Sequence, residues 1–240
     1  MDQKNNPNKI ILLLFPPFLN KFDFQSREKI KFLSLESIKK ISLSEKNTGS
    51  VEKHISADYS QEIREVIAKE NQPKFVLINY PRNEKQFSLL SEELTKIGRK
   101  IDNIILLNVD NYELISNIQN EYLICPHCEK IYKKNEAIKE NQIFICPADN
   151  NYQFSPAEVS KFNEYIINYY LENSINLIEK YLAINKLSST NITQLTIQNK
   201  EEIFSGEIQK KVLRIILIIF KSGRLLISEL TLTFFLSFKI

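Results

Sequence analysis

The side chains in this sequence best suited to chemistry are its cysteines, and all of them fall in one short stretch. They stand as Cys125-Pro126-His127-Cys128, then seventeen intervening residues, then Cys146-Pro147-Ala148-Asp149. Two short turns, each offering a pair of ligands with two residues between them, can converge on one tetrahedral Zn²⁺ from opposite sides, as zinc ribbons and knuckles do. The expected ligands are Cys125, Cys128, Cys146 and Asp149, a set of thiolates closed by a carboxylate. A Cys-x₂-Cys pair alone is also the spacing of a redox dithiol. The bland alternative is that these thiols are small buried apolar groups. A second pair after a ribbon-length gap favours the metal. His127 is a rival ligand, but adjacent positions rarely both reach one ion, so it is expected to face solvent from its loop.

The rest of the composition says what must carry these turns. A chain of 240 residues suits one domain with an inserted module, or two small domains, and can bury a sizeable core. Its 43% hydrophobic and 25% charged content is that of a soluble globular protein. The net charge of +3 is spread along the chain and leaves no nucleic-acid footprint by itself. Cysteines committed to a metal argue for a reducing compartment, and the apolar run at residues 10–15 is too short for a signal peptide, so the cytoplasm is expected.

Periodicity places the elements. Lys9–Phe15 is a continuous apolar run of the kind buried on both faces of a parallel sheet, ended by Pro16-Pro17. Asp23–Lys31 has helix-like composition and Phe32–Leu35 reads as a short strand, while residues 44–58 read as loop or flap. Ser60 is expected to cap a helix that buries Ile63, Val66 and Ile67. Phe75–Ile78 is a strand, 84–97 an amphipathic helix closed by Gly98, Ile104–Val109 a strand and Tyr112–Ile118 a helix. Beyond the cysteine module, Pro156–Leu187 reads as one long helix or a broken pair, 192–197 as a last strand and Glu201–Val212 as a closing helix. Alternating strands and helices predict a parallel α/β sheet with the module inserted.

An apolar first strand, a proline-rich turn, a Pro-Arg after a later strand and a cysteine module before a long helix together resemble the bacterial-type adenylate kinases with a zinc-bearing lid. The likeness covers about residues 9–213. It is firmest at Phe75-Val76-Leu77-Ile78-Asn79-Tyr80-Pro81-Arg82 with Gln86, similar to the family's FILDGFPR…Q, and at Cys125, Cys128, Cys146 and Asp149. It implies an α/β fold, a three-layer P-loop-kinase-like parallel sheet with an inserted zinc-ribbon lid. The implied core is residues 9–118 and 155–213, with a degenerate AMP-binding flap at about 35–58, the lid at 119–154 and a hydrophobic extension at 214–240. It also implies a structural role for the zinc, Mg-ATP and AMP as nucleotides, and a monophosphate site at Arg82 and Gln86.

The departures from that pattern fall on the chemistry. Leu14–Asp23 occupies the place of the family's LGPPGAGKGT, keeping both prolines and Lys21 but none of the glycines. Glycines let backbone N–H groups curl around a phosphate, and Phe15, Phe18 and Phe22 would fill that space. Asp23 stands where a hydroxyl would reach Mg²⁺, and Ile78 where the family has an Mg²⁺-positioning aspartate. No arginine occurs between Arg99 and Arg214 to neutralise a transferring phosphoryl group. Lys21 is then a relic of the catalytic loop, and productive Mg-ATP binding is not expected. The reading is an inactive, zinc-binding structural or partner-binding pseudo-kinase. The alternatives are an active nucleoside monophosphate kinase, and a zinc ribbon that associates with nucleic acid or a ribonucleoprotein. The tail 214–240 is too interrupted by Lys221, Arg224 and Glu229 to span a membrane. It is expected to be an addition to the domain, with a turn at Ser222-Gly223, that docks on it as a hairpin or helix or seeks a protein partner.

Overall fold

The computed structural model describes residues 9–16, 30–34, 38, 58–70, 74–109, 120–127, 131–137, 143–147, 152–168, 191–198, 202 and 205–222. Its centre is a parallel sheet of β1 (Lys9–Leu14), β2 (Ile30–Ser34), β3 (Lys74–Ile78), β4 (Ile101–Val109) and β9 (Asn191–Ile197), in the order β2-β3-β1-β4-β9. The apolar runs form strands because both faces of the sheet are covered. Ile11 and Leu13 of β1 point into one apolar layer, and Ile10, Leu12 and Leu14 into the other. Each such buried side chain is worth about 1.5–3 kcal/mol of transfer free energy, so the strand is pinned from both sides.

One layer is completed by α1 (Ser60–Lys69) and α2 (Glu84–Thr95), through Ile63, Ile67, Phe87, Leu90 and Leu94. α2 begins at Asn83, whose side-chain oxygen accepts the Gln86 N–H at 2.9 Å. It ends at Gly98 (φ +66°), with Gly98 N–H on the Thr95 carbonyl and Arg99 N–H on the Leu94 carbonyl, both at 3.0 Å, the Schellman arrangement that a left-handed glycine permits. The other layer comes from α4, described over residues 156–168, and α5 (Glu207–Ser222). Ser155 and Glu158 cap α4 reciprocally, the hydroxyl and N–H of Ser155 each reaching the Glu158 carboxylate at 2.7 Å.

At the amino edge of the sheet β4 carries a bulge. Ile10 pairs with Ile101 and Ile11 with Asn103, and the carboxylate of the skipped Asp102 accepts the Ile10 N–H at 2.8 Å. Burial raises the Asp102 pKa, and neither that hydrogen bond nor the nearby Lys100, Lys9 and Arg99 offsets it.

Several boundaries differ from the sequence expectation. β2 starts at Ile30, inside the stretch given a helical composition, because Ile30 and Leu33 are buried when the strand lies in register on β3. β4 starts at Ile101 rather than Ile104. Ser60 is the first residue of α1 and not its cap; Asp58 accepts its N–H and its hydroxyl at 3.0 and 2.6 Å. Glu202 is helical within the expected closing helix, a bend at Ser205-Gly206 separates it from α5, and α5 runs from Glu207 through the expected boundary at Leu213 to Ser222. Ile215, Ile216, Ile219 and Phe220 are buried in the same layer as Val212, so residues 214–220 complete this chain's own core rather than extending from it. The helix expected at Tyr112–Ile118 and the flap at residues 44–57 lie outside the described residues.

Two small antiparallel hairpins form the inserted module: β5 (Tyr122–Ile124) with β6 (Ile131–Lys133), which leads into the short helix α3 (Lys134–Ala137), and β7 (Phe144–Ile145) with β8 (Gln153–Phe154). Alternation along β5 divides it between two apolar clusters. Tyr122 and Ile124 join the domain layer, while Leu123 and the following Cys125 join Phe144, Cys146 and Val159. Asn163 of α4 holds the strand there, its side-chain oxygen accepting the Ile124 N–H at 2.8 Å and its amide donating to the Ile124 carbonyl at 3.0 Å.

Candidate nucleotide site and cysteine turns

In an open parallel sheet, ligands bind beyond the carboxyl ends of the strands where successive connections leave in opposite directions. Here β1 leads to β2 on one side of the sheet and β4 leads to β9 on the other. The described backbone at that edge is Phe15-Pro16 after β1 and Asn79-Tyr80-Pro81-Arg82 after β3.

Asn79 joins the two turns. It sits at φ 52°, a left-handed conformation that asparagine tolerates better than most side chains. Its N–H donates to the Leu13 carbonyl at 2.9 Å, and its side-chain oxygen accepts the Phe15 N–H at 2.9 Å. The position that the resemblance gives to glycine therefore carries an amide that clasps the exit of β1. Phe15 is buried in the domain layer with Leu13 and Ile78. Phe18, Lys21, Phe22 and Asp23 lie outside the described residues.

The structure brings Arg82 and Gln86 into contact. The Arg82 N–H donates to the Gln86 side-chain oxygen at 2.7 Å, and Arg82 Nε donates to the Asn79 carbonyl at 3.2 Å. Gln86 is 2% exposed, so its amide works as an internal brace for the arginine's backbone. Arg82 is half-buried immediately before the first turn of α2. An arginine held by its backbone and Nε beside a helix N-terminus is chemically suited to an anion.

The sequence reading missed the group beneath this turn. Tyr80 is buried, and its hydroxyl donates to Asp58 Oδ1 at 2.6 Å, accepts the Tyr59 N–H at 3.1 Å and lies 2.8 Å from the Ser60 hydroxyl. Burial pushes the Tyr80 phenol well above its ordinary value, and the hydrogen bond to Asp58 adds to the rise. Burial also acts to raise Asp58, but the hydrogen bonds from Ser60 and Tyr80 outweigh it and hold that carboxylate below the usual range. A tyrosine in place of the family's phenylalanine just before Pro-Arg was the available signal.

The cysteine turns follow β5 and β7. Cys125 and Cys146 are both fully buried in one apolar cluster with Phe144, and the Cys146 N–H donates to the Tyr152 carbonyl at 3.0 Å. His127 is half-buried, not the solvent-facing residue expected, because its ring stacks on Tyr152 with centroids 3.6 Å apart. Cys128 and Asp149 lie outside the described residues. Among the described residues no three His, Cys, Asp or Glu side chains form a metal-binding group. What the structure offers a metal is two thiols in one enclosed cluster, a soft donor pair that fits zinc.

No family model matches this chain. Among curated proteins it is similar to the adenylate kinase of Thermosipho africanus, 29% identical over 119 residues, which is 49% of this chain and 54% of that protein. It is also similar to the adenylate kinases of Petrotoga mobilis, 24% identical over 151 residues, 61% of this chain and 69% of that protein, and Mycoplasma mycoides, 24% identical over 158 residues, 65% and 73%. This chain is adenylate-kinase-like. The chain spans about half the length of the first of these relatives. The carboxyl edge of β1 and β3 is the candidate ligand site, with Asn79, Arg82 and Gln86 among its described polar groups. Among the described residues no helix is long and apolar enough to cross a membrane.

Proposed function

We propose that this adenylate-kinase-like chain is a pseudo-kinase, which holds a nucleoside monophosphate weakly at Arg82 and a structural zinc ion in its cysteine turns but does not transfer phosphoryl groups. The observation that carries the proposal is Ile78. It ends β3 at 8% exposure, packed in the apolar layer with Leu13 and Val109, where the family resemblance calls for a carboxylate that positions Mg²⁺. Phosphoryl transfer depends on alignment and on neutralising charge, and losing one electrostatic stabiliser costs about 10²–10³ in rate. With the glycines of the phosphate loop and the lid arginines also missing from the sequence, these losses compound, although not additively.

The residues that remain have definable roles. Arg82 would pair with a monophosphate, with Gln86 and Asn79 fixing its backbone and Nε. Zinc would be held by Cys125, Cys128, Cys146 and Asp149, and when bound it supplies only a cross-link between the two turns.

The test is a coupled assay of ATP and AMP turnover on the full chain, with calorimetry of AMP binding. The expected result is no measurable turnover and weak AMP binding that Arg82→Ala abolishes. Turnover near the ~1–100 s⁻¹ of ordinary kinases would overturn the proposal. It would favour instead an active nucleoside monophosphate kinase, the reading that the curated relatives' name supports.

A further inference from the structure

We infer that Tyr80 and Asp58 form a positioning pair for Arg82, anchoring the turn that carries this guanidinium to the first turn of α1. The ligand named here rests on the monophosphate reading; the geometry does not. Three donors converge on Asp58 Oδ1: the Ser60 N–H, the Ser60 hydroxyl and the Tyr80 hydroxyl. Tyr80 is only 1% exposed, and its ring lies in the apolar layer with Ile63, Phe87 and Leu90. A phenylalanine, which the family motif carries at this point, would fill that layer without requiring polar partners. The hydroxyl demands a satisfied network, and buried networks of this kind restrict a segment to one arrangement.

The segment so restricted is the one that presents Arg82. Asn79 immediately precedes Tyr80, and its carbonyl is the acceptor for Arg82 Nε. Asn79 is tied at its other side to Leu13 and Phe15 of the β1 turn. The chain between β3 and α2 is thus fixed at Asn79 by β1, at Tyr80 by the start of α1, and at Arg82 by Gln86. Freeing the middle point lets the Asn79 carbonyl and the Arg82 fork drift apart. Charge-assisted arginine–phosphate bonds depend on that alignment.

The experiment uses the full chain and its Tyr80→Phe variant, with Asp58→Asn as a second, milder variant. The first readout needs no ligand: hydrogen exchange of the Arg82 Nε–H by ¹⁵N NMR, assigned with Arg82→Ala. The second is calorimetric titration with AMP and with adenosine. Tyr80→Phe is expected to speed Nε–H exchange and weaken AMP binding, each roughly tenfold, while leaving adenosine unchanged, since only the phosphate contact needs Arg82 aligned. Asp58→Asn, whose carbonyl oxygen still accepts, should fall between. A lowered melting temperature with unchanged Nε–H exchange would show that the network only stabilises the fold, and would overturn the inference. If the unsubstituted chain binds no AMP yet Tyr80→Phe still speeds the exchange, the positioning role stands and the monophosphate reading fails.

Discussion

Truncation after Leu213 removes the second half of α5, and its cost can be worked from the side chains lost. Ile215, Ile216, Ile219 and Phe220 are all at least nine-tenths buried against the sheet. At about 1.5–3 kcal/mol for each side chain removed from the core, burial lost with these four comes to roughly 6–12 kcal/mol. A domain is stable by only about 5–15 kcal/mol, so the truncated chain should not fold. Point variants make the test quantitative. Ile216→Ala and Ile219→Ala should each lower the unfolding free energy by about 2–5 kcal/mol, while Leu217→Ala, at a side chain 41% exposed on the same helix, should stay within about 0.5 kcal/mol. Urea denaturation followed by circular dichroism measures all three. A truncated protein with an unfolding midpoint equal to that of the full chain would refute the packing of α5 described above.

Glu158 is held below its ordinary pKa by the hydroxyl and N–H of Ser155, so its contribution to stability is complete above the unfolded value and is lost as pH falls through the lower folded value. The melting-temperature gap between the wild type and Glu158→Gln should therefore close on acidification through that window, and a gap constant down to pH 2 would contradict it. Asn163→Ala leaves the N–H and carbonyl of the buried Ile124 without their partner and should cost about 2–4 kcal/mol, measured by the same denaturation. Metal analysis of the purified chain should find one equivalent of zinc, with Asp149→Ala weakening retention less than Cys128→Ala, and a strong chelator should lower the melting temperature.

The apolar runs at Lys9–Phe15, Phe75–Ile78 and Ile104–Val109 were legible because a strand buried on both faces needs no polar alternation, whereas Asp102 and Asn103 hid the start of β4 at Ile101. α5 was legible too, but a boundary drawn from family length hid it. Ile208, Val212, Ile215, Ile216 and Ile219 follow helical spacing straight across Leu213. Ile30 and Lys31 were misassigned because a short edge strand is decided by its neighbour β3, not by its own composition. At the candidate site, Arg82 and Gln86 were named from the family resemblance, and their contact is local, the two lying four residues apart across the start of α2. The Asp58–Tyr80 contact spans twenty-two residues and two elements, and only the packing of α1 beside the end of β3 creates it.

The divided allegiance of β5 also bears on protein engineering. Lids and ribbons are tempting modules to transplant, with cuts placed at the domain boundary drawn from sequence. Here a donor fragment cut at residue 119 would carry away Tyr122 and Ile124, leaving a hole in the host, and would arrive elsewhere with an apolar face seeking a sheet it no longer has. The second hairpin, β7–β8, contributes no described side chain to the domain layer and is the natural unit of exchange. A chimera should therefore keep Tyr122–Cys125 and the Asn163 bond native and graft only beyond β6.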